Sequence, residues 1–158
     1  VRVNRFREKF LTIGQAQVAT SAYEAFKLGY LRKGIDEVVL DRDYQLTRAK
    51  EACLNMYNQG YSQPPKEKNI TVLGAEVMGL VYVGADTMEH GHFISEHDAL
   101  ISEKLGFVLA GGDLSEPQLV DEQYLLDLER RAFLELCMER KTLERIQSIV
   151  TKGKILRN

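Results

Sequence analysis

Apolar residues recur at helical spacing through most of this chain. In residues 4–12 (NRFREKFLT), Phe6 and Phe10 share one face with the following Ile13, and Arg and Lys occupy the other face. This pattern predicts an amphipathic helix that ends in a turn at Gly14.

The next stretch, TSAYEAFKLG, has the pattern of a helix with both ends defined. Ser21 is predicted as the N-cap, Glu24 as its capping-box partner, and Gly29 as the residue that ends the helix. The Val- and Leu-rich residues 37–40 then predict a short strand.

A third helix is predicted in DYQLTRAKEACLNMYNQG, with Asp41 or Asp43 as its cap and Gly60 as its end. A loop follows at 61–69, because its two consecutive prolines prevent a helix and a charged run comes after them. This loop is a possible hinge.

The apolar face of the third helix consists of Leu46, Ala49, Cys53, Met56 and Tyr57.

Residues 70–89 are compatible with two structures. Their Val, Ile and Gly content fits two strands, whereas Leu73, Val77, Leu80 and Met88 fit one face of a helix. A buried helix is favoured, because small residues allow two helices to approach closely. The small residues are Gly74, Ala75, Gly79, Gly84 and Ala85.

From Ser95 onward the pattern is almost wholly helical. One helix is predicted to follow Ser95 and to end at the glycine pair 111–112. The next is predicted to carry Pro117 near its first turn. The last is predicted to open with Thr142 and to end at Gly153.

The fold class predicted for residues 1–158 is therefore all-α: a single helical segment, an array of helices with at most one short strand. Apolar residues are 44% and charged residues 28%, which is typical of a soluble globular protein. The net charge of −2 comes from charges spread along the chain, so no basic stripe indicates nucleic-acid binding. No apolar run approaches the roughly 18 residues that a membrane span needs.

The two cysteines, Cys53 and Cys137, lie far apart in the sequence and outside any CxxC motif. Each falls on the apolar side of a predicted helix, so packed, reduced thiols are favoured over a disulfide or an activated nucleophile. Reduced thiols and the lack of a signal-peptide pattern in VRVNRFREKF favour the cytoplasm. Because the first residue is Val1 rather than Met, we expect a piece of a longer protein.

All three histidines lie within MEHGHFISEHD, residues 88–98, among three carboxylates. On a strand, His90 and His92 would share a face, as in zinc and iron sites, and His97 could be a third ligand. A straight strand is disfavoured by Gly91 between them.

A helix cap explains the same group of residues without a metal ion. Ser95 is predicted to cap a helix, and the Asp98 side chain is predicted to accept a hydrogen bond from the Ser95 backbone in a capping box. Glu96 and Asp98 also complement the positive end of the helix dipole. The cap is favoured, and no metal ligand is predicted.

No other motif defines an active site. LGAEVMGL is not followed by the Lys-Ser/Thr of a phosphate loop, and no GxGxxG follows a strand. The charged stretches Glu129-Arg130-Arg131 and Glu144-Arg145 are most simply solvated helix faces with i,i+4 partners. No catalytic residue is predicted.

Several stretches resemble a known family. TSAYEAFKLGYLRKGIDEVV resembles the segment that crotonase-fold enzymes place after their catalytic spiral. HFISEHDALISEKLGFVLAGGD, VDEQYLLDLERRAFLELC and KTLERIQSIVTKGKILRN resemble the C-terminal end of long bacterial 3-hydroxyacyl-CoA dehydrogenases. The resemblance covers roughly residues 4–158, and ISEHD, AGGD and the GKILRN terminus are its most specific parts.

In those enzymes a dehydrogenase portion is fused to an enoyl-CoA hydratase (crotonase) module. The resemblance implies that this chain is the C-terminal helical part, which packs on the crotonase core, helps to roof the acyl-CoA site and makes subunit contacts in a homo-oligomer. It also implies that the NAD-binding fold, the His–Glu pair and the oxyanion-hole groups lie upstream of Val1. No cofactor is then expected in this segment, which alone would be catalytically silent.

One residue role is implied at the end of the chain. Crotonases often finish with a motif whose Phe and Lys approach the CoA nucleotide. Here Lys152 holds the Lys position, but Ile149 replaces the Phe and Arg145 replaces a Gly. Lys152 is thus a candidate for CoA phosphate binding, and the alternative is a solvated lysine that complements the helix dipole.

Two further hypotheses remain open. One is a self-contained helical interaction module that oligomerises through amphipathic faces such as residues 118–137. The other is a metal-dependent enzyme at His90, His92 and His97.

Overall fold

Seven α-helices and two three-residue strands form the regular structure of residues 2–158, which the computed structural model describes. The chain is mainly helical, as predicted. The elements are α1 (Arg2–Gly14), α2 (Ala22–Leu28), a 3₁₀ helix (Arg42–Tyr44), α3 (Gln45–Asn58), β1 (Ile70–Val72), α4 (Ala75–His90), α5 (Glu96–Ala110), β2 (Gln118–Val120), α6 (Glu122–Cys137) and α7 (Arg140–Lys152).

These elements belong to two compact units. The first unit comprises the residues up to Gln15 together with Lys66–Asn158, and so contains α1 and everything from β1 onward. The second unit, Ala16–Pro65, contains α2 and α3. The hinge expected at 61–69 stays a prediction.

The core of the first unit lies beside α4 and α5. Leu73, Val77 and Ala110 are buried, and Val3 and Phe6 of α1 pack against them. Burying these side chains stabilises the unit by about 25 cal/mol for each Å² of apolar surface removed from water. The core therefore ties α1 to two elements distant in the sequence.

Close approach of α4 to α5 depends on a glycine that the sequence reading passed over. A Cβ at Gly106 would lie 2.7 Å from Cγ1 of Val81, so a larger residue there would force Val81 to shift. By contrast, a Cβ at Gly79 or at Gly84 would meet nothing within 4 Å. The prediction that these two glycines serve helix contact is wrong, whereas Ala85 is buried as expected.

The helix favoured for residues 70–89 is confirmed from Ala75 onward and is wrong for the first residues, which form a strand. Ile70–Val72 pairs antiparallel with Gln118–Val120, and a helix follows from Ala75. Gly74 makes the transition, with φ 58° and ψ −142°, and a Cβ there would lie 2.5 Å from the carbonyl oxygen of Leu114. Only glycine fits this backbone.

The prediction of at most one short strand, at 37–40, is wrong in place and number. Residues 37–40 form no strand, and Leu40 is exposed. A short run with two valines still needs a partner ladder, and the ladder here joins β1 to β2 instead.

Three predicted helix ends agree with the structure, whereas one predicted helix start does not. The ends predicted at Gly29, Gly111 and Gly153 are confirmed, each in the left-handed conformation. The start predicted near Pro117 is wrong, because β2 occupies Gln118–Val120 and Asp121 caps α6 by accepting from the Tyr124 N–H.

Two other helix starts also differ from the prediction. Thr142 lies inside α7, which begins at Arg140. Asp41 caps the 3₁₀ helix that precedes α3.

In the second unit, α2 is capped as its sequence suggests, with one change of partner. The Ser21 side chain accepts a hydrogen bond from the Glu24 N–H. The Glu24 carboxylate accepts from the Thr20 N–H at 2.7 Å, one residue before the N-cap. The reciprocal bond therefore closes around Thr20 rather than Ser21.

Candidate functional site

The histidine-rich stretch leads directly into α5, and its Ser95 forms a capping box there. The Asp98 N–H donates to Ser95 Oγ at 3.1 Å, and the Ser95 N–H donates to Asp98 Oδ2 at the same distance. These bonds satisfy two backbone donors at the start of the helix.

Arg145 of α7 joins this cap to the last helix. Its Nη1 donates to Asp98 Oδ1 at 2.6 Å, and only 16% of the Arg145 side chain is exposed. The Arg145 Nη2 lies 3.5 Å from Ser95 Oγ. Asp98 thus holds both a backbone cap and an ion pair between α5 and α7. The prediction that Glu144-Arg145 is a solvated face is wrong for Arg145.

The final residue, Asn158, is held by the same arginine. Arg145 Nε donates to Asn158 Oδ1 at 2.7 Å, and its Nη2 donates to the Asn158 backbone oxygen at 3.1 Å. Asn158 Nδ2 donates in turn to Glu144 Oε2 at 2.9 Å. The GKILRN segment therefore folds back onto α7.

Burial acts against ionisation of Asp98, since it raises the pKa of a carboxyl group. The hydrogen bonds from Arg145 and Ser95 outweigh burial and hold the pKa of Asp98 below its ordinary value. Asp98 is therefore a carboxylate at neutral pH and pairs fully with Arg145.

His97 is the histidine that the fold buries. Its side chain is buried, and Nε2 lies 2.9 Å from the Thr142 hydroxyl of α7. Burial, followed by the positive charges of Arg145 and Lys141, lowers the pKa of His97. A neutral imidazole that bonds to a threonine ties α5 to α7 in the manner of a core side chain.

A groove of about 520 Å³ opens beside His97. Its charged rim has both signs, with four carboxylates and two cations, so its net charge is negative. Its apolar wall is Ala99 and Leu100. The charged residues of the rim are Glu89, Glu96, Glu103, Glu139, Arg140 and Lys141.

The other two histidines lie outside this arrangement. His90 ends α4 and is exposed, with Nδ1 3.0 Å from the Asp86 carbonyl oxygen. His92 has a positive φ of 56° in the turn that follows. No group of three His, Cys, Asp or Glu side chains able to hold a metal ion occurs among residues 2–158.

The remaining candidate residues do not line the groove. Lys152 is exposed at the end of α7, next to the left-handed Gly153. Cys137 is partly buried, but Cys53 is exposed on α3, so the expectation of a packed Cys53 thiol is wrong. In residues 2–158, no helix is long and apolar enough to cross a membrane.

Arg145 and Asn158 belong to this network although the sequence did not predict it. The one available signal was the spacing of Thr142 and Arg145, which places them on the same face of a helix. Their partners, His97 and Asp98, lie more than forty residues earlier. Sequence spacing alone does not reveal such pairs.

The chain is similar over nearly its whole length to one curated enzyme. It is 39% identical over 156 residues to a probable 3-hydroxyacyl-CoA dehydrogenase of Bacillus subtilis (strain 168). The match covers 99% of this chain but only 20% of that protein. No protein-family profile and no solved structure match the chain.

This similarity confirms one part of the expected resemblance, the relation to a bacterial 3-hydroxyacyl-CoA dehydrogenase. The relation to a crotonase module stays a prediction.

Proposed function

We propose that this chain is a C-terminal segment of a cytoplasmic enzyme of fatty-acid β-oxidation that combines 3-hydroxyacyl-CoA dehydrogenase and enoyl-CoA hydratase activities. The observation that carries the proposal is the 39% identity, sustained over 99% of the chain, to part of a probable 3-hydroxyacyl-CoA dehydrogenase. Identity at that level, sustained over nearly the whole segment, supports a shared role.

In this proposal the segment packs on a crotonase core, roofs the acyl-CoA site and makes subunit contacts in a homo-oligomer. Its exposed apolar side chains support such packing. The predicted apolar face of α3 is present, yet α3 buries no residue, and Leu46 is 82% exposed. Large exposed apolar areas are typical of surfaces that another protein region covers.

Catalysis is assigned to the remainder of the larger enzyme. NAD and the groups that react with the acyl thioester would be held by upstream domains. The polar groups at the start of α5 support this division of labour, since Asp98 binds Arg145 and the Ser95 cap, and His97 bonds to Thr142. Their geometry serves packing between α5 and α7.

Lys152 is proposed to contact a phosphate of the acyl-CoA. Its exposure at the end of α7 is compatible with this role. In a full-length enzyme, we expect Lys152→Ala to raise the KM for acyl-CoA about tenfold at unchanged kcat, since a charge-assisted hydrogen bond contributes about 1.5–3 kcal/mol. Lys141→Ala is the matched control, and equal effects of the two variants would contradict the contact.

The proposal is tested first on the purified 158-residue chain. We expect it to oxidise no 3-hydroxyacyl-CoA with NAD and to hydrate no enoyl-CoA. It should nevertheless restore NADH formation when it is added to a form of the Bacillus subtilis enzyme that lacks the matching segment. Activity of the chain alone would contradict the assignment of the catalytic groups to other domains.

A self-contained helical interaction module is the second candidate. The exposed apolar face of α7, formed by Leu143, Ile149 and Val150, favours it. Self-association of the chain is compatible with both functions. Failure to restore the shortened dehydrogenase, together with a stable homo-oligomer, would favour the interaction module.

A further inference from the structure

A second groove is lined by residues of α1, of the segment from β1 to α4, and of α5. Its volume is about 330 Å³, and three of its lining residues are the cations Arg2, Arg5 and Lys9. Spacings of three and four residues place them on one face of α1. The groove therefore has a strong local positive charge in a chain whose net charge is −2.

The cations of this groove are balanced by few acidic groups. Lys9 lies 3.5 Å from Glu8, and both side chains are about half exposed or more, so this ion pair is weak. Arg2 and Arg5 make no ion pair with any described residue, whereas Arg145 is paired with Asp98. Like charges on one helix face repel each other, and a bound anion would relieve that repulsion.

The floor of the groove is apolar. Phe6, Leu73 and Leu109 line it, and the exposed Thr71 adds a hydroxyl group at its side. The Phe6 ring stacks on Phe10 with centroids 6.0 Å apart, which fixes its orientation. An apolar, aromatic floor beside clustered cations suits a ligand with both a flat organic part and closely spaced negative charges.

We infer that this α1 groove binds a nucleoside diphosphate group, with its pyrophosphate between Arg2 and Arg5 and its nucleoside on the apolar floor. Arginine forms bidentate hydrogen bonds to phosphate oxygens, which is the recognition that this pair of side chains offers. The inference rests on the proposed function, in which both CoA and NAD carry such a group. It adds a site that Lys152 does not supply.

Binding to the purified 158-residue chain tests the inference by isothermal titration calorimetry with CoA, NAD and inorganic pyrophosphate. We expect CoA or NAD to bind more tightly than pyrophosphate, because the floor contributes. Arg5→Gln should weaken binding about tenfold, the effect of one charge-assisted hydrogen bond. Whichever of CoA and NAD binds more tightly identifies the source of the group.

Arg7→Gln is the matched control, because it removes one exposed arginine from the same helix outside the groove. Equal affinities of the Arg5 and Arg7 variants, or equal binding of pyrophosphate and the nucleotides, would overturn the inference. So would the absence of binding to the unmodified chain. If the chain restores the shortened dehydrogenase yet binds no nucleotide, the groove inference fails while the proposed function stands.

Discussion

Replacing Arg145 by Met is the sharpest test of the contacts that hold α5 to α7. The change removes the 2.6 Å bond to Asp98 and the 2.7 Å and 3.1 Å bonds to Asn158. It leaves a partly buried carboxylate without its cation. Hydrogen bonds to charged groups contribute about 1.5–3 kcal/mol each in burial, and partial exposure reduces that contribution. We expect a loss of about 2–3 kcal/mol in the free energy of unfolding at neutral pH.

The loss of unfolding free energy caused by Arg145→Met should become smaller as the pH falls. Because the folded-state pKa of Asp98 is below its ordinary value of 3.8, its ionised form stabilises the folded protein above that value. The stabilisation disappears as the pH falls through the folded-state pKa. The difference between the natural protein and Arg145→Met should therefore shrink below about pH 4.

Urea unfolding followed by far-ultraviolet circular dichroism measures this loss. With a slope of about 2 kcal/mol per M, the midpoint should fall by about 1 M. Arg130→Met is the matched control, because Arg130 pairs with Asp127 at 3.2 Å on an exposed face and should contribute under about 1 kcal/mol. If both variants lose the same small amount, the Asp98–Arg145 pair does not join the helices as described.

The remaining predictions concern packing and protonation. Gly106→Ala should destabilise the protein by about 1–3 kcal/mol, because the new methyl group meets Val81. Gly79→Ala should stabilise it by up to about 1 kcal/mol, because its methyl group meets nothing. Equal effects of the two variants in urea unfolding would contradict the close helix contact. Val77→Ala should cost about 2 kcal/mol, and a smaller loss than at an exposed valine would place Val77 outside the core. The folded-state pKa of His97 is lowered, so the unfolded chain takes up its proton first as the pH falls below 6.5, and the free energy of unfolding decreases there. His97→Gln should remove that decrease. An unchanged pH profile of the free energy of unfolding would refute the prediction.

The helical class and several helix ends were predictable because their signals are local. Ser95 and Asp98 lie three residues apart, and Gly153 follows its helix directly, so their interactions involve residues that are close in the sequence. The pattern of apolar residues likewise predicted a helix within residues 70–89, which begins at Ala75 in the structure.

The parts that escaped prediction depend on contacts between distant residues. The strand at Ile70–Val72 forms because Gln118–Val120 pairs with it. A short stretch of sequence does not indicate which distant segment will be its partner. Gly106 was overlooked for the same reason, since its importance lies in Val81 on another helix. Arg145 has the sequence signature of a surface residue, and its partly buried ion pair depends on the distant Asp98.

The central claim, that this chain serves as a segment of a 3-hydroxyacyl-CoA dehydrogenase, is tested most directly by segment exchange. The matching segment of the Bacillus subtilis protein would be replaced by residues 1–158, and NADH formation from a 3-hydroxyacyl-CoA would be measured. A form without the segment serves as the control. We expect the exchanged protein to keep activity within about tenfold of the parent, which is about 1.4 kcal/mol in barrier height, and the control to lose it. A folded exchanged protein without dehydrogenase activity, or a fully active control, would contradict the claim.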